Sequence, residues 1–166
     1  MKNMKVYRYL AYSLEILLLF ILGTTPLVMP EIYGATPCLL VALAITIAVF
    51  ENEVPAMVFG LVCGMLTDLG YSNSIGVYTV MLTIVCFIIG FCANNIITIN
   101  FWNILLIALF VCAVTISLHF VFELLIHSYS DMGAYFVNHY ISRIVQTFIC
   151  VIPLFFVNKF IYSTID

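Results

Sequence analysis

The chain has 166 residues, of which 65% are hydrophobic and 8% are charged. A soluble domain carries about 25% charged residues, so this composition excludes an ordinary soluble protein and predicts a chain that lies in a lipid bilayer. The formal net charge is −3, and the sequence contains no run of basic residues. Binding to a nucleic acid backbone is therefore not expected.

Six apolar stretches predict an all-α, polytopic integral membrane protein. A transmembrane helix needs about 20 mostly apolar residues, and the second stretch is short by that standard. The stretches form one transmembrane domain over residues 1–166 and cover about 9–29, 36–50, 54–69, 75–97, 101–126 and 134–162. Pro153 lies inside the sixth stretch and predicts a kink there.

The basic residues predict how the bundle is oriented. An even number of spans places both termini on one side, and Lys and Arg are enriched in cytoplasmic flanks. A cytoplasmic N-terminus puts Lys2, Lys5, Arg8 and Lys159 at the inner face and leaves Arg143 near the outer face. Both termini are therefore expected in the cytoplasm.

Acidic residues near the inner face need either water or a basic partner. The segment Glu51-Asn52-Glu53 separates the second and third stretches, and we expect it to form a polar hairpin that reaches water. Glu15 lies about two turns beyond Arg8 on the first stretch. We expect Glu15 to pair with Lys159 or to extend its carboxylate to the membrane surface.

The cysteines all lie inside apolar stretches, and none of them forms a C-x-x-C pair. This distribution is typical of small apolar side chains inside a membrane protein, and it favours neither a disulfide framework nor a zinc site. The residues are Cys38, Cys63, Cys86, Cys92, Cys112 and Cys150.

The end of the third stretch carries the most informative pattern. Gly60, Gly64 and Asp68 are spaced by four residues and share one helix face, and Gly76 follows after a short turn. Small residues at this spacing allow another helix to approach closely, and an intramembrane Asp must face protein or water. The face is interpreted as internal helix packing, as a docking groove for a partner's helix, or as a proton or ligand site.

This pattern resembles the MreD family of bacterial rod shape-determining proteins. The resemblance depends on G-x-x-x-G-x-x-x-D, a turn, and Ile75-Gly76 opening the fourth stretch. The chain length, the basic N-terminus, Pro37 in the second span and the short loops agree with the family as well. The motif covers about residues 60–76, and the architectural likeness covers the whole chain.

The resemblance implies a role in cell shape and peptidoglycan synthesis at the bacterial inner membrane. A member of this family is expected to be a non-enzymatic subunit of the cell-elongation machinery, the elongasome. It would bind the bitopic protein MreC, and it would act with the glycosyltransferase RodA and its partner transpeptidase. The MreB cytoskeleton would be linked indirectly.

Polar side chains also follow the fifth and sixth stretches at steps of four residues. The two stretches are joined by a short loop and should be antiparallel neighbours, so their polar faces can meet. The residues are Thr115, His119, Glu123 and His127 on the fifth stretch, and His139, Arg143 and Thr147 on the sixth.

Arg143 is the only strong base expected near the outer face, where Asp68 and Glu123 both need a partner. A guanidinium can serve two carboxylates, so we predict a polar cluster of Asp68, Arg143 and Glu123, with His119 and His139 beside it. The cluster is interpreted first as a structural polar seam and second as a proton relay. The histidine spacing does not fit a metal site, and neither a metal nor another cofactor is expected.

The sequence offers no catalytic motif, and no enzyme activity is expected. The alternative to a cell-elongation subunit is a small solute-binding membrane protein, similar to the substrate-capturing component of an energy-coupling-factor vitamin transporter. Such a protein needs an outward polar pocket, which residues of the loop 127–133 could line together with Tyr71, Asn73 and Tyr135.

Overall fold

A computed structural model describes residues 2–25, 36–71, 76–95, 101–126 and 140–165 of the chain. Within these ranges the protein is a bundle of six helices. They are α1 (Lys2–Thr24), α2 (Leu39–Phe50), α3 (Glu53–Tyr71), α4 (Val77–Asn95), α5 (Phe101–Ile126) and α6 (Ser142–Ile165).

Five of these helices are long and apolar enough to cross a membrane. The qualifying segments are Lys5–Thr24, Glu53–Gly70, Val77–Asn94, Trp102–Phe122 and Ser142–Thr164. The predicted all-α polytopic architecture is confirmed. Some helix bounds differ from the predicted stretches: α1 covers Lys2–Thr24 where about 9–29 was predicted, and α6, with Pro153 inside it as predicted, continues to Ile165.

The second helix is the centre of the bundle. Every residue of α2 from Leu39 to Phe50 is buried, and the other five helices all pack around it. At about 1.5 Å per residue, its 12 residues span about 18 Å, which is less than the roughly 30 Å hydrocarbon core of a bilayer. At least one end of α2 therefore lies below the membrane surface, and because the bundle encloses the whole helix, the backbone groups at both ends need partners from the protein.

Residues of α6 supply partners for the start of α2. The amide of Cys38 donates to Thr147 Oγ1 at 3.1 Å, and Thr147 Oγ1 in turn donates to the carbonyl of Arg143 at 2.7 Å. Arg143 Nε donates to the carbonyl of Thr36 at 3.2 Å. The chain entering α2 is thus tied to the first two turns of α6 by polar contacts.

A second polar contact joins α2 and α6 inside the core. Asn158 Nδ2 donates to Thr46 Oγ1 at 3.0 Å and to the carbonyl of Leu154 at 3.1 Å, and both Asn158 and Thr46 are fully buried. This hydrogen bond between polar side chains in an apolar interior favours one register of the two helices, because a shift along the helix axis would break it.

Two ends of the bundle can be defined from these contacts. The terminal end holds the start of α1, the turn between α2 and α3, and the end of α6. The starts and ends meet there because the Arg8 Cζ of α1 lies 4.8 Å from the ring centroid of Tyr162 on α6. The far end holds the start of α2, the end of α3 and the start of α6. The positive-inside rule assigns the terminal end to the cytoplasm.

We expect Asn158→Ala to lower the stability of the protein by about 1 to 2 kcal/mol, because it removes the hydrogen bond to Thr46 and leaves space in the core. Thermal melting of the purified protein in mild detergent measures the change. The matched control is Asn94→Ala, which replaces an exposed side chain and should change stability by less than about 0.5 kcal/mol. Equal melting temperatures for the two variants would contradict the role of the Asn158 contact.

Candidate functional site

Helices α3 and α4 form the most extensive helix pair of the bundle, and Gly60 and Gly64 lie in their interface. A Cβ atom added to Gly60 would lie 2.8 Å from the Cys86 Cβ and 2.7 Å from the Leu82 carbonyl oxygen. A Cβ atom added to Gly64 would lie 2.5 Å from the Thr79 Cα. The glycine face therefore packs against α4 of the same chain and is not open to the helix of a partner.

The sequence pattern did not show that this interface continues toward the terminal end. A Cβ atom added to Gly90 of α4 would lie 3.0 Å from the Ala56 Cβ and 3.1 Å from the Glu53 Cα. Ala56 stands four residues before Gly60, so the same spacing could have included it. Gly90 carries no comparable signal, because its role depends on which residues of α3 it meets.

Asp68 caps the start of α4. Its Oδ2 accepts from the Gly76 amide at 3.1 Å, the Thr79 amide at 2.9 Å and Thr79 Oγ1 at 2.6 Å, and its Oδ1 accepts from the Tyr78 amide at 3.1 Å. The first amides of a helix lack partners within the helix, and its dipole favours a negative charge there. Asp68, which lies on a neighbouring helix, supplies both the hydrogen-bond acceptors and the negative charge. Its side chain is buried, since the residue is 6% exposed.

Gly76 explains why the cap comes from α3. It precedes α4 with φ of +94°, and its carbonyl accepts the bond from the Val80 amide that begins the helix. A glycine has no side chain with which to cap the following amides, and a positive φ is strained for other residues. Gly76 therefore provides the backbone conformation that begins α4, and Asp68 accepts the hydrogen bonds of its first amides.

The contacts of Asp68 differ from the predicted pairing with Arg143. Its hydrogen bonds come from the start of α4, and the bond of Arg143 Nε goes to the Thr36 carbonyl. The physical reason is that four aligned donors of a helix start satisfy a buried carboxylate without a second ion. Part of the predicted cluster lies outside the described residues, namely the side chain of Glu123 and the whole of His139.

The described members of the polar faces on α5 and α6 are mostly buried. Thr115 and Thr147 are fully buried, and His119 is 5% exposed. The His119 ring stacks on the Tyr78 ring of α4, with 4.4 Å between the centroids and 20° between the planes. His127 lies outside the described residues, so the polar seam of α5 and α6 stays a prediction.

An ion pair at the terminal end was not predicted from the sequence. Arg8 Nε lies 2.6 Å from Glu51 Oε1, Arg8 Nη2 donates to Glu51 Oε2 at 3.2 Å, and the two side chains are 7% and 2% exposed. The expectation that Glu51 reaches water is wrong, because α1 covers it with a guanidinium. Six spans place both residues at the same end, which is the signal that could have found the pair.

Glu15 also departs from its expected contacts. Both carboxyl oxygens are buried and have no hydrogen-bond partner. Lys159, its expected partner, is exposed. Glu15 therefore neither pairs with Lys159 nor extends its carboxyl group to the membrane surface, because its side chain turns into the bundle.

Cysteine and histidine chemistry is limited in the part of the chain that the structure describes. All six cysteines are free thiols, and four of them are buried. Within the same residues, no three His, Cys, Asp or Glu side chains come together in a group that could hold a metal ion. Apart from Glu15, the acidic and basic groups inside the described bundle are engaged in helix capping, helix pairing and an ion pair.

The fold and these contacts define a class: a small polytopic membrane protein whose polar residues serve helix packing inside the bundle. A family model described as rod shape-determining protein MreD matches residues 4–163, which is nearly the whole chain. The chain belongs to the MreD family. It is thus a rod shape-determining protein of the bacterial inner membrane. Neither a curated protein nor a solved structure matches it.

We expect Gly64→Ala to destabilise the protein by about 1 to 3 kcal/mol, because the added methyl group meets the backbone of α4 and must separate the two helices. Gly70→Ala is the matched control. Its Cβ would first meet the Phe20 side chain, at 3.2 Å, and a side chain can move aside. In detergent, the melting temperature of Gly64→Ala should therefore be lower than that of the original protein, and that of Gly70→Ala should not. A similar melting temperature for both variants would contradict the close packing at Gly64.

Asp68→Asn should destabilise the protein by about 1.5 to 3 kcal/mol, because it removes the charge that accepts the hydrogen bonds of α4. The asparagine amide group would also turn two donors toward other donors. Glu53→Gln, a partly exposed carboxylate at the start of α3, is the control and should melt close to the original protein. Amide hydrogen exchange at Tyr78 and Thr79 should accelerate in Asp68→Asn alone, and unchanged exchange would refute the cap.

Proposed function

We propose that the chain is a non-catalytic subunit of the cell-elongation machinery that binds an MreC-like bitopic membrane protein. The observation that carries this proposal is the MreD family match over residues 4–163. In this role the protein would hold its partner beside RodA and the transpeptidase. The MreB cytoskeleton would be linked through other members of the assembly.

The location of the small-residue face supports a partner surface elsewhere on the bundle. Gly60 and Gly64 are occupied by α4, so a partner's helix has to meet larger apolar side chains. Within an 18-residue stretch of each span-length segment, 17% of the residues are buried in Lys5–Thr24, and 28% to 33% are buried in the others. The first helix thus leaves the most surface for contacts outside the chain.

A groove between α1 and α3 extends this surface. It has a volume of 360 Å³ and is lined almost entirely by apolar side chains. Ser13, Leu17 and Phe20 line it from α1, and Val58 and Val62 line it from α3. Large apolar residues of a partner's transmembrane helix would fill this groove and exclude lipid from it, since packing in membranes depends on close van der Waals contact.

The proposal predicts that Val58→Trp blocks the groove and weakens binding. The protein would be co-expressed with the MreC-like protein of the same genome and purified in mild detergent, and the partner would be quantified by mass spectrometry. We expect recovery to fall about tenfold, which corresponds to about 1.4 kcal/mol. Val80→Trp is the matched control, because Val58 is 50% exposed, Val80 is 59% exposed, and Val80 lies on α4.

The outcomes separate this proposal from its competitors. Both variants must first melt within a few degrees of the original protein, which shows that the bundle is intact. Equal recovery of the partner with both variants would exclude the groove as the binding surface. Recovery of a coupling subunit with ATPases, in place of a bitopic protein, would overturn the proposed function itself.

A further inference from the structure

Glu15 occupies the middle of the membrane-spanning part of α1. It stands ten residues after Lys5 and nine before Thr24, the two limits of the span-length segment. At about 1.5 Å per residue, this places its Cα about 14 Å from either limit, near the centre of a hydrocarbon core of roughly 30 Å. The residue is partly exposed, but both carboxyl oxygens are buried and lack a hydrogen-bond partner.

The described surroundings of Glu15 provide no positive charge. Arg8, two turns away on the same helix, forms the ion pair with Glu51. The neighbouring ionisable groups Tyr12 and Cys63 are themselves acids and carry no positive charge. Tyr12 is fully buried, and its hydroxyl group also lacks a partner.

These observations bear on whether the Glu15 carboxyl group is ionised or protonated. An ionised carboxylate that is removed from water without a counter-ion or donors costs far more free energy than a neutral acid, so the group binds a proton instead. We propose that Glu15 is a proton-binding carboxyl group inside the bundle and a modification site for membrane-soluble carbodiimides. Asp68 is the internal contrast, since four hydrogen-bond donors surround its carboxyl oxygens.

The modification follows from the protonated state. The acid O–H adds across one C=N bond of the carbodiimide: the carboxyl oxygen bonds to the central carbon, and the proton goes to nitrogen. The acyl group then migrates to the adjacent nitrogen and gives a stable N-acylurea. No atom leaves and nothing is oxidised or reduced, so one intact reagent molecule is added to the protein.

Two measurements on the full-length protein in detergent at neutral pH test the proposal. Infrared spectra of the original protein minus those of Glu15→Gln should show the carbonyl band of a protonated carboxylic acid, and the band should shift in deuterated buffer. Dicyclohexylcarbodiimide should add one adduct that peptide mapping places on Glu15. A water-soluble carbodiimide should label Glu15 at least tenfold less, and in Glu15→Gln neither reagent should leave an adduct at position 15.

Each result decides a stated part of the proposal. Absence of the acid band overturns the protonated state, whatever the labelling shows. Equal labelling by the two reagents overturns the burial of the carboxyl group, and a band without any adduct overturns the modification site. Glu15→Gln is close in shape to the neutral acid and should melt within a few degrees of the original protein, whereas a large loss of stability would indicate an ionised Glu15.

Discussion

The complete burial of α2 is the constraint on which the rest of the bundle depends. A helix in contact with lipid can end at the membrane surface, where water satisfies its last amides and carbonyls, but a 12-residue helix enclosed by five others cannot. Its start is therefore tied to α6 through Thr147 and Arg143, and the residue after its end, Glu51, is covered by Arg8. These contacts fix α1 and α6 relative to the centre, and α3 and α4 complete the enclosure as a glycine-packed pair.

Three carboxyl groups within the bundle are accommodated by three different means. Asp68 faces the amides of a helix start, Glu51 faces a guanidinium, and Glu15 faces neither. The first two arrangements give the carboxyl oxygens hydrogen-bond donors or a counter-charge, whereas burial without either favours a neutral acid at Glu15. Charged residues are only 8% of the sequence, but those inside the bundle have structural roles. A buried ion pair that loses one partner is strongly destabilised, which makes Arg8 and Glu51 mutually dependent.

Periodicity and hydropathy were sufficient to predict the helices, and residue spacing was sufficient to find the face that carries Gly60, Gly64 and Asp68. The partner of that face could not be predicted, because a small-residue stripe looks the same whether it meets a neighbouring helix of the same chain or another protein. The enclosed position of α2 was also not predicted: its uniform hydrophobicity fits both a lipid-facing helix and a central one. Long-range polar pairs such as Asn158 with Thr46, 112 positions apart, depend on the packing of the whole bundle.

The internal position of the glycine face changes what kind of partner contact the protein can make. The glycine face that allows close backbone approach is already occupied by the contact between α3 and α4. Association with another protein therefore has to depend on larger, interlocking apolar side chains. Such contacts gain little over lipid contacts unless the shapes match closely, because lipid tails are as apolar as leucine. A partner's helix would therefore be selected by its fit to the outer side of α1 and the adjoining groove. Charge would contribute little at this depth, since the described charges of the bundle interior are already paired or capped, and Glu15 turns inward.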